Sequence, residues 1–553
     1  MSFGGSNTLV GGVGDDTYVY DFGSDDQATI IDTEGSSDVL ELRGFSDDVS
    51  VSGTWSEDGS TLYLSFSEDG SDVGGISIDV SEGSVLETLR IGEGGVEINL
   101  PNLYNKITVE GDGNVASSGI GDDFADVDGN DNTVSTGAGD DTVSVTGYRN
   151  TVSGEAGNDT ISLTGDANTA HGGAGDDTIS ISGGVNTALG GEGNDTILVD
   201  GSYNTAHAGE GDDTIVVTGV SNFGIDGGAG DDTIEVTGFG NISKAGTGND
   251  TINVQADGKW VFAQQGNDTI NMTGDGGLIA AGDGVDRINV TGSNGLILGE
   301  YGDDSMSVTG NANNIDGGLD NDWISVTGDG NTVAGNYGND SIGINGDSNT
   351  ITAGSGNDHL NINSGSYNVG DAGAGNDSVS VRGDYNEVSG NIGNDTMISW
   401  GDNNTLRAGD GNDAVFGLGD GEVLDGGAGD DYISVEGTNT TVSGGDGNDY
   451  IVDDLFSAGD GNVIDGGAGF DTAVYGGTLD QYSFSEGSIL ISGPDGTDTL
   501  TNIESLYFLG DDSRLALQGG TDETDFLAAS GDAVFFGFGG RDLLVSSGDG
   551  DAV

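Results

Sequence analysis

From about residue 121 to 472 the chain repeats itself every 18 residues, and a period that short leaves few folds open. A clean copy, GAGDDTVSVTGYRNTVSG, starts at Gly137; later copies keep the spacing, with slips to 19 near Gly230 and Gly375 and a longer insertion before Gly469. About twenty G-x-D turns fall in this stretch. Each unit reads as two short strands and two turns. Strand one is T-I-x-V, as in Thr160-Ile161-Ser162-Leu163, and turn one is T-G-x-x-N. Strand two is T-V-x, as in Thr151-Val152-Ser153, and turn two is G-x-G-[ND]-D. So short a unit has no room for a crossover helix, and its strands are too brief for a regular hairpin protein. What remains is a coil with one repeat per turn, its strands stacked in parallel about 4.8 Å apart.

In such a coil, residues 18 apart stack on one another, so the sequence can be read as columns. The inward column of strand one runs Val143, Ile161, Ile179, Ile197, Ile215, Ile234, Ile252, Ile270, Ile288, Met306, Ile324, Ile342, Leu360. A second runs Val145, Leu163, Ile181, Val199, Val217, Val236, and strand two adds Val152, Ala170, Ala188, Ala206, then Ile279, Ile297, Ile315. β-Branched residues alternating with polar ones suit period-2 strands. About three apolar side chains per turn make a thin core, which calls for a further source of stability.

Two polar columns lie at the turns. The last residue of turn two is Asp in every copy: Asp123, Asp141, Asp159, Asp177, Asp195, Asp213, Asp232, Asp250, Asp268, Asp286, Asp304, Asp322, Asp340, Asp358, Asp377, Asp395, Asp413, Asp431, Asp449 and Asp471, with Asp16 in the same place of an N-terminal partial copy. The residue before it drifts between Asp and Asn, and once each to Val285 and Phe470. Asn and Asp form the same turns, so a position that takes only the charged one uses the charge. Carboxylates stacked 4.8 Å apart repel by roughly 3 kcal/mol per neighbour at an effective dielectric near 20, which demands cations between the turns. Asp oxygens and glycine-turn carbonyls are hard donors that suit Ca²⁺ better than Mg²⁺, which needs a tighter octahedron. Roughly 18 or more Ca²⁺ are expected, one between each pair of turns. The opposite turn carries Asn132, Asn150, Asn168, Asn186, Asn204, Asn222, Asn241, then Asn313, Asn331, Asn349, Asn368, Asn386 and Asn404. A neutral amide both donates and accepts, so this ladder needs no metal.

Composition agrees and excludes alternatives. Asp and Glu number 96 against 11 Lys plus Arg, for a net charge of −85, which rules out nucleic acid as partner. There is no Cys, hence no disulfide or zinc–cysteine site. The 109 Gly follow no three-residue period and Pro occurs twice, so the chain is not collagen. No apolar run is long enough for a transmembrane helix. Without calcium, this charge on a thin core predicts a disordered chain; with it, binding energy becomes folding energy.

GGAGDDTIS at Gly172, GGEGNDTIL at Gly190, GGAGDDTIE at Gly227, GGAGDDYIS at Gly426 and GGDGNDYIV at Gly444 resemble the nonapeptide of RTX (repeats-in-toxin) proteins, G-G-x-G-x-D-x-U-x with U apolar. The resemblance implies a right-handed parallel β-roll with Ca²⁺ between successive turns, type I secretion, and folding outside the cell. One departure stands out: alternate nonapeptides are replaced by T-G-x-x-N-T-V-x, so one edge alone is expected to carry metal. The expected organisation is a partial repeat at 1–23, a β-rich inter-repeat module at 24–115, the main solenoid at 116–472, a β-rich module at 473–520 and the start of another block at 521–553. The opening MSFGGSNTLVGG shows neither a charged n-region nor an apolar h-region, and both ends fall inside repeat-like sequence; a cytoplasmic chain, export without an N-terminal signal and a piece cut from a longer protein all stay open.

Catalytic signals are absent. His occurs at 171, 207 and 359 only, with no G-x-S-x-G elbow and no His-Glu-x-x-His motif, so no active site is expected. The favoured function is a secreted or cell-surface calcium-binding segment of adhesin or matrix type, whose further partners would be cell-surface polysaccharide or other copies of the chain. One alternative is the secretion region of an RTX exoenzyme with its catalytic domain elsewhere. Another is ice binding by the outward threonines Thr142, Thr160, Thr178, Thr196, Thr214, Thr233, Thr251 and Thr269, a column that fails at Arg287, Trp323 and His359.

Overall fold

The computed structural model describes residues 106–453, 461–485, 489–493, 496–510 and 513–519, together with short strands between residues 7 and 99 and between 526 and 546. The fold is all-β, a right-handed parallel β-solenoid of about twenty turns of about 18 residues with small flanking β-rich modules. The one helix among the described residues is the 3₁₀ turn Leu479–Gln481. The chain divides into two compact units, Met1–Gly282 and Asp283–Val553.

In the first unit, strand one of each turn lies parallel to strand one of the next. Thr142–Thr146 pairs with Thr160–Thr164, setting Val143 beside Ile161 and Val145 beside Leu163. The register then holds through Ile179, Ile197, Ile215, Ile234 and Ile252 to Ile270. Burial alternates along each strand because successive side chains point to opposite faces. Strand two is longer than its T-V-x signature: Thr151–Ala156 pairs with Thr169–Ala174 past the glycine and into turn two. Positive φ at Glu155 (76°) and Gly173 (130°) lets that strand bend into the turn while its ladder continues. The 19-residue turn keeps register by placing its extra residue, Phe223, on the surface, where the ring meets Tyr203 at 6.2 Å.

The second unit repeats this plan. Ile288, Met306, Ile324, Ile342, Leu360, Val379, Met397, Val415, Ile433 and Ile451 stack in strand one. Its own 19-residue turn shifts register between Ile344 and Asn345. The stack passes to Thr472–Tyr475 and Ser505–Phe508, and the chain then turns antiparallel, Ser505–Phe508 against Ser513–Gly519. Tyr475, Tyr482 and Phe508 pack with ring centroids 5.0 to 6.2 Å apart and fill the core at the end of the stack. Each turn buries about three aliphatic side chains, those of Val, Leu or Ile each worth roughly 1.5–3 kcal/mol and Ala less, so the core of a single turn is small.

Candidate metal edge

Both turns use one device. A side-chain oxygen accepts the backbone N–H of its counterpart in the preceding turn. On the Asn edge of the first unit, Asn132 N–H donates to Asn150 Oδ1 at 3.0 Å, Asn150 to Asn168 at 2.9 Å and Asn168 to Asn186 at 2.8 Å. The amide nitrogen completes the rung by donating to a glycine carbonyl of the preceding turn: Asn150 Nδ2 to Gly129 O at 2.9 Å and Asn168 Nδ2 to Gly147 O at 3.0 Å. The second unit has the same pattern, with Asn313 reaching Asn331 Oδ1 at 2.8 Å and Gly292 O at 3.0 Å. The expected ladder is present, and it is closed on itself.

The Asp edge makes the first of these bonds and not the second. Asp141 N–H donates to Asp159 Oδ1 at 2.8 Å and Asp159 to Asp177 at 2.7 Å; in the second unit Asp304 donates to Asp322 at 2.9 Å and Asp322 to Asp340 at 2.8 Å. The other oxygen stands where Asn has its NH₂ group, and it is an acceptor. Oδ2 of Asp159, Asp177, Asp195, Asp213, Asp232 and Asp250 is buried and meets no donor. So is Oδ2 of Asp304, Asp322, Asp340, Asp358, Asp377, Asp395, Asp413, Asp431, Asp449 and Asp471 in the second unit. A buried polar atom without a partner costs about 1–3 kcal/mol, and more when charged. Here the cost recurs at turn after turn.

Oδ2 is turned into the coil, toward strand two. A Cβ added to Gly172 would collide with Asp177 Oδ2 and lie 2.7 Å from the Gly190 carbonyl oxygen. One added to Gly335 would meet Asp340 Oδ2 and the Ala353 carbonyl oxygen in the same way. The residue five before each Asp is Gly or Ala from Gly154 to Gly466: at the glycines a Cβ would collide, and at positions such as Ala208 and Ala353 a single methyl is accommodated and nothing larger occurs. This small-residue column went unread in the sequence, although its strict composition was a usable signal. It leaves space beside a carboxylate oxygen and backbone carbonyls, a hard, all-oxygen donor set. No three Asp, Glu or His side chains converge on one point among the described residues. A cation here would be held by single carboxylates and neutral oxygens.

Burial pushes these carboxyls up. Asp159 rises to about 7 because burial removes its water, and the charges of Asp141 and Asp177 add to the effect, against the hydrogen bond from Asp141 N–H. Asp322 rises to about 8 and Asp304 to about 7, again chiefly by burial, with neighbouring carboxylates adding. Protons or cations must accompany such a column.

The drifting position next to it has a different role. Asn158 N–H donates to Asp140 Oδ1 at 2.8 Å, and Asp176 N–H to Asn158 Oδ1 at 2.8 Å, all exposed. Along Asp140, Asn158 and Asp176 the column needs one oxygen, which Asp and Asn both supply; at rungs such as Asn249 and Asn339 the exposed amide adds a bond to the neighbouring Oδ1.

All expected metal residues from Asp123 to Asp471 lie buried in the Asp columns of the two units; Asp16 lies outside the described residues. Two charged departures on the Asn edge, among its non-Asn rungs, were not foreseen. In the first unit Lys259 occupies a rung, and its buried Nζ donates to Val236 O at 2.9 Å, as an amide would donate to a carbonyl. Burial lowers its pKa to about 8. In the second unit Glu422 takes a rung, and burial raises it to about 8 against the nearby Ser399 and Asn404. Both stand out in the sequence only when the column is followed through its gaps.

No protein-family model matches the chain, and no curated protein does. Among solved structures, the chain is similar to a hyperactive, Ca²⁺-dependent, β-helical antifreeze protein from an Antarctic bacterium. The match is 22% identical, covers 57% of this chain and 78% of that one, and has a TM-score of 0.21. A TM-score this low carries no argument about function.

Proposed function

We propose that the chain is a calcium-dependent structural repeat segment that folds outside the cell, with no catalytic activity of its own. The observation that supports this most is the column of buried Asp Oδ2 atoms, repeated turn after turn with no donor in reach. Asp159, Asp177, Asp195, Asp213, Asp232 and Asp250, and their counterparts from Asp304 to Asp471, would hold Ca²⁺ between turns together with strand-two carbonyls. Bound calcium supplies the positive charge that lets these carboxylates ionise inside the coil. The chain's own residues do the rest: Oδ1 spaces the turns by accepting N–H, the Gly/Ala column leaves room, and the Asn ladder holds the far edge without metal.

The formal charge of −85 also supports this reading, because a thin core cannot hold so charged a chain together at neutral pH without counter-ions. Coupling of folding to calcium suits a protein that stays unfolded where calcium is scarce and folds where it is plentiful. The use that fits is an extender or matrix segment of adhesin type, exported by a type I route as the RTX-like nonapeptides imply. Far-UV circular dichroism during a calcium titration, with magnesium as control, tests the reading. A cooperative coil-to-β transition specific to calcium is expected; full β structure at neutral pH in excess chelator would overturn it.

A further inference from the structure

On the Asn edge of the second unit Gly295 stands at one rung, and a further interruption at Glu422 and Thr440 is built rather than random. The rungs run Asn386, Asn404, Glu422, Thr440, Asn462. In the same turns the second inward column of strand one, apolar at Ile344, Ile362 and Val381, changes to Ser399 and Gly417 before returning to Val435. These changes belong together. A Cβ on Gly417 would collide with Glu422 Oε2, so the carboxylate points into space that the missing side chain leaves inside the coil. Glu422 is 1% exposed; the Ser399 hydroxyl and the Asn404 amide lie beside its carboxylate and lower its pKa against burial, but neither carboxylate oxygen has a hydrogen bond of good geometry. On the next rung the Thr440 hydroxyl, equally buried, also has no partner. The rungs stay in register around them: Val423 N–H donates to Asn404 O at 2.9 Å and Thr441 N–H to Glu422 O at 2.8 Å. Ser399 Oγ accepts Asn404 Nδ2 at 2.9 Å and lies beside the carboxylate. The charges nearby, Asp402 and Asp420, are negative.

We propose that Glu422 heads a single Ca²⁺ site on the otherwise metal-free Asn edge, completed by the hydroxyls of Thr440 and Ser399. A protonated acid supplies one donor, which does not serve both carboxylate oxygens and the Thr440 hydroxyl at once. A hard cation satisfies the two carboxylate oxygens and the hydroxyls together, since all are oxygen donors. The two-oxygen carboxylate explains why Glu stands here and not Asn, and Gly417 explains how the longer side chain fits.

The inference does not depend on calcium at the Asp edge, and the test separates them. Bound ions are counted by native mass spectrometry of the full chain in calcium, with magnesium and sodium as controls. Glu422→Asn restores the ladder residue and Glu422→Gln keeps the length. Each is expected to hold one Ca²⁺ fewer than the parent while the other ions remain. An unchanged count in either variant overturns the proposal, and so does a parent that carries no ion lost with Glu422. Should a Glu422 variant unfold and lose many ions, Thr440→Val decides: it keeps the β-branched shape and is expected to weaken one ion at least tenfold, whereas unchanged affinity for every ion overturns the site.

Discussion

The Asp and Asn edges of the solenoid differ by one atom per turn. Asn168 and Asp177 sit at equivalent corners, and both accept the N–H of the rung before through Oδ1. The Asn then donates its NH₂ to a glycine carbonyl, while the Asp presents a second acceptor to the inside of the coil. Near-identical shape therefore gives one edge that is complete within the protein and one that is short of positive charge. The outer column, Asp140–Asn158–Asp176, adds the control: where only Oδ1 is used and solvent covers the rest, Asp and Asn interchange.

The largest effect expected from this difference is on pH dependence. Without calcium, the Asp column binds protons in the fold up to about pH 6–8, as at Asp177, Asp159 and Asp322, while an unfolded Asp loses them near 4. The folded state thus holds more protons between these limits, and stability of the metal-free protein falls as pH rises through them. Calcium-free protein is expected to show β structure near pH 4 and to lose it toward pH 8, by circular dichroism. With saturating calcium the dependence should reverse, because protons compete for the same oxygens. Metal-free protein that is equally folded at pH 4 and pH 8 would count against the charged column.

Next in size is a change of sign within one mutant. Asp322→Asn in calcium removes a charged partner and should lower stability by about 3–5 kcal/mol, the range for breaking a buried charge pair. Without calcium at about pH 5–6, where the fold is expected to persist, Asp322 is held protonated by burial while the unfolded chain releases that proton; Asn carries no such cost, so the same change should stabilise, readable as a rise in Tm. The converse swap, Asn168→Asp, costs the bond to Gly147 and places an unpaired acceptor in its position. It should destabilise by about 1–3 kcal/mol in thermal melts with calcium and without. The smallest effect is expected at the outer column: Asn158→Asp should stay within about 0.5 kcal/mol by the same measurement.

Much of this was legible in the sequence, because the repeat turns one chain into its own alignment. The 18-residue spacing gave the parallel stack, the columns gave the core residues, and the contrast between invariant Asp and drifting Asp/Asn marked the inward acceptor. The details missed share a cause. Strand two runs to six residues because one positive-φ residue, Glu155 in one turn and Gly173 in the next, keeps the ladder going into the turn, which strand propensity does not register. The Gly/Ala column five residues before each Asp went unread, because its role depends on Oδ2 pointing at it across the coil. Lys259 and Glu422 were passed over as gaps in the Asn ladder. Only burial shows that one replaces the amide donor and the other brings in a carboxylate.

The central claim, cations on one edge and hydrogen bonds on the other, is tested most directly by anomalous diffraction from crystals grown in calcium. Peaks about 2.3–2.6 Å from Oδ2 are expected at successive Asp rungs such as Asp159, Asp177 and Asp195, with none along Asn150, Asn168 and Asn186. An Asp edge without peaks, or peaks shared equally by both edges, would contradict the account.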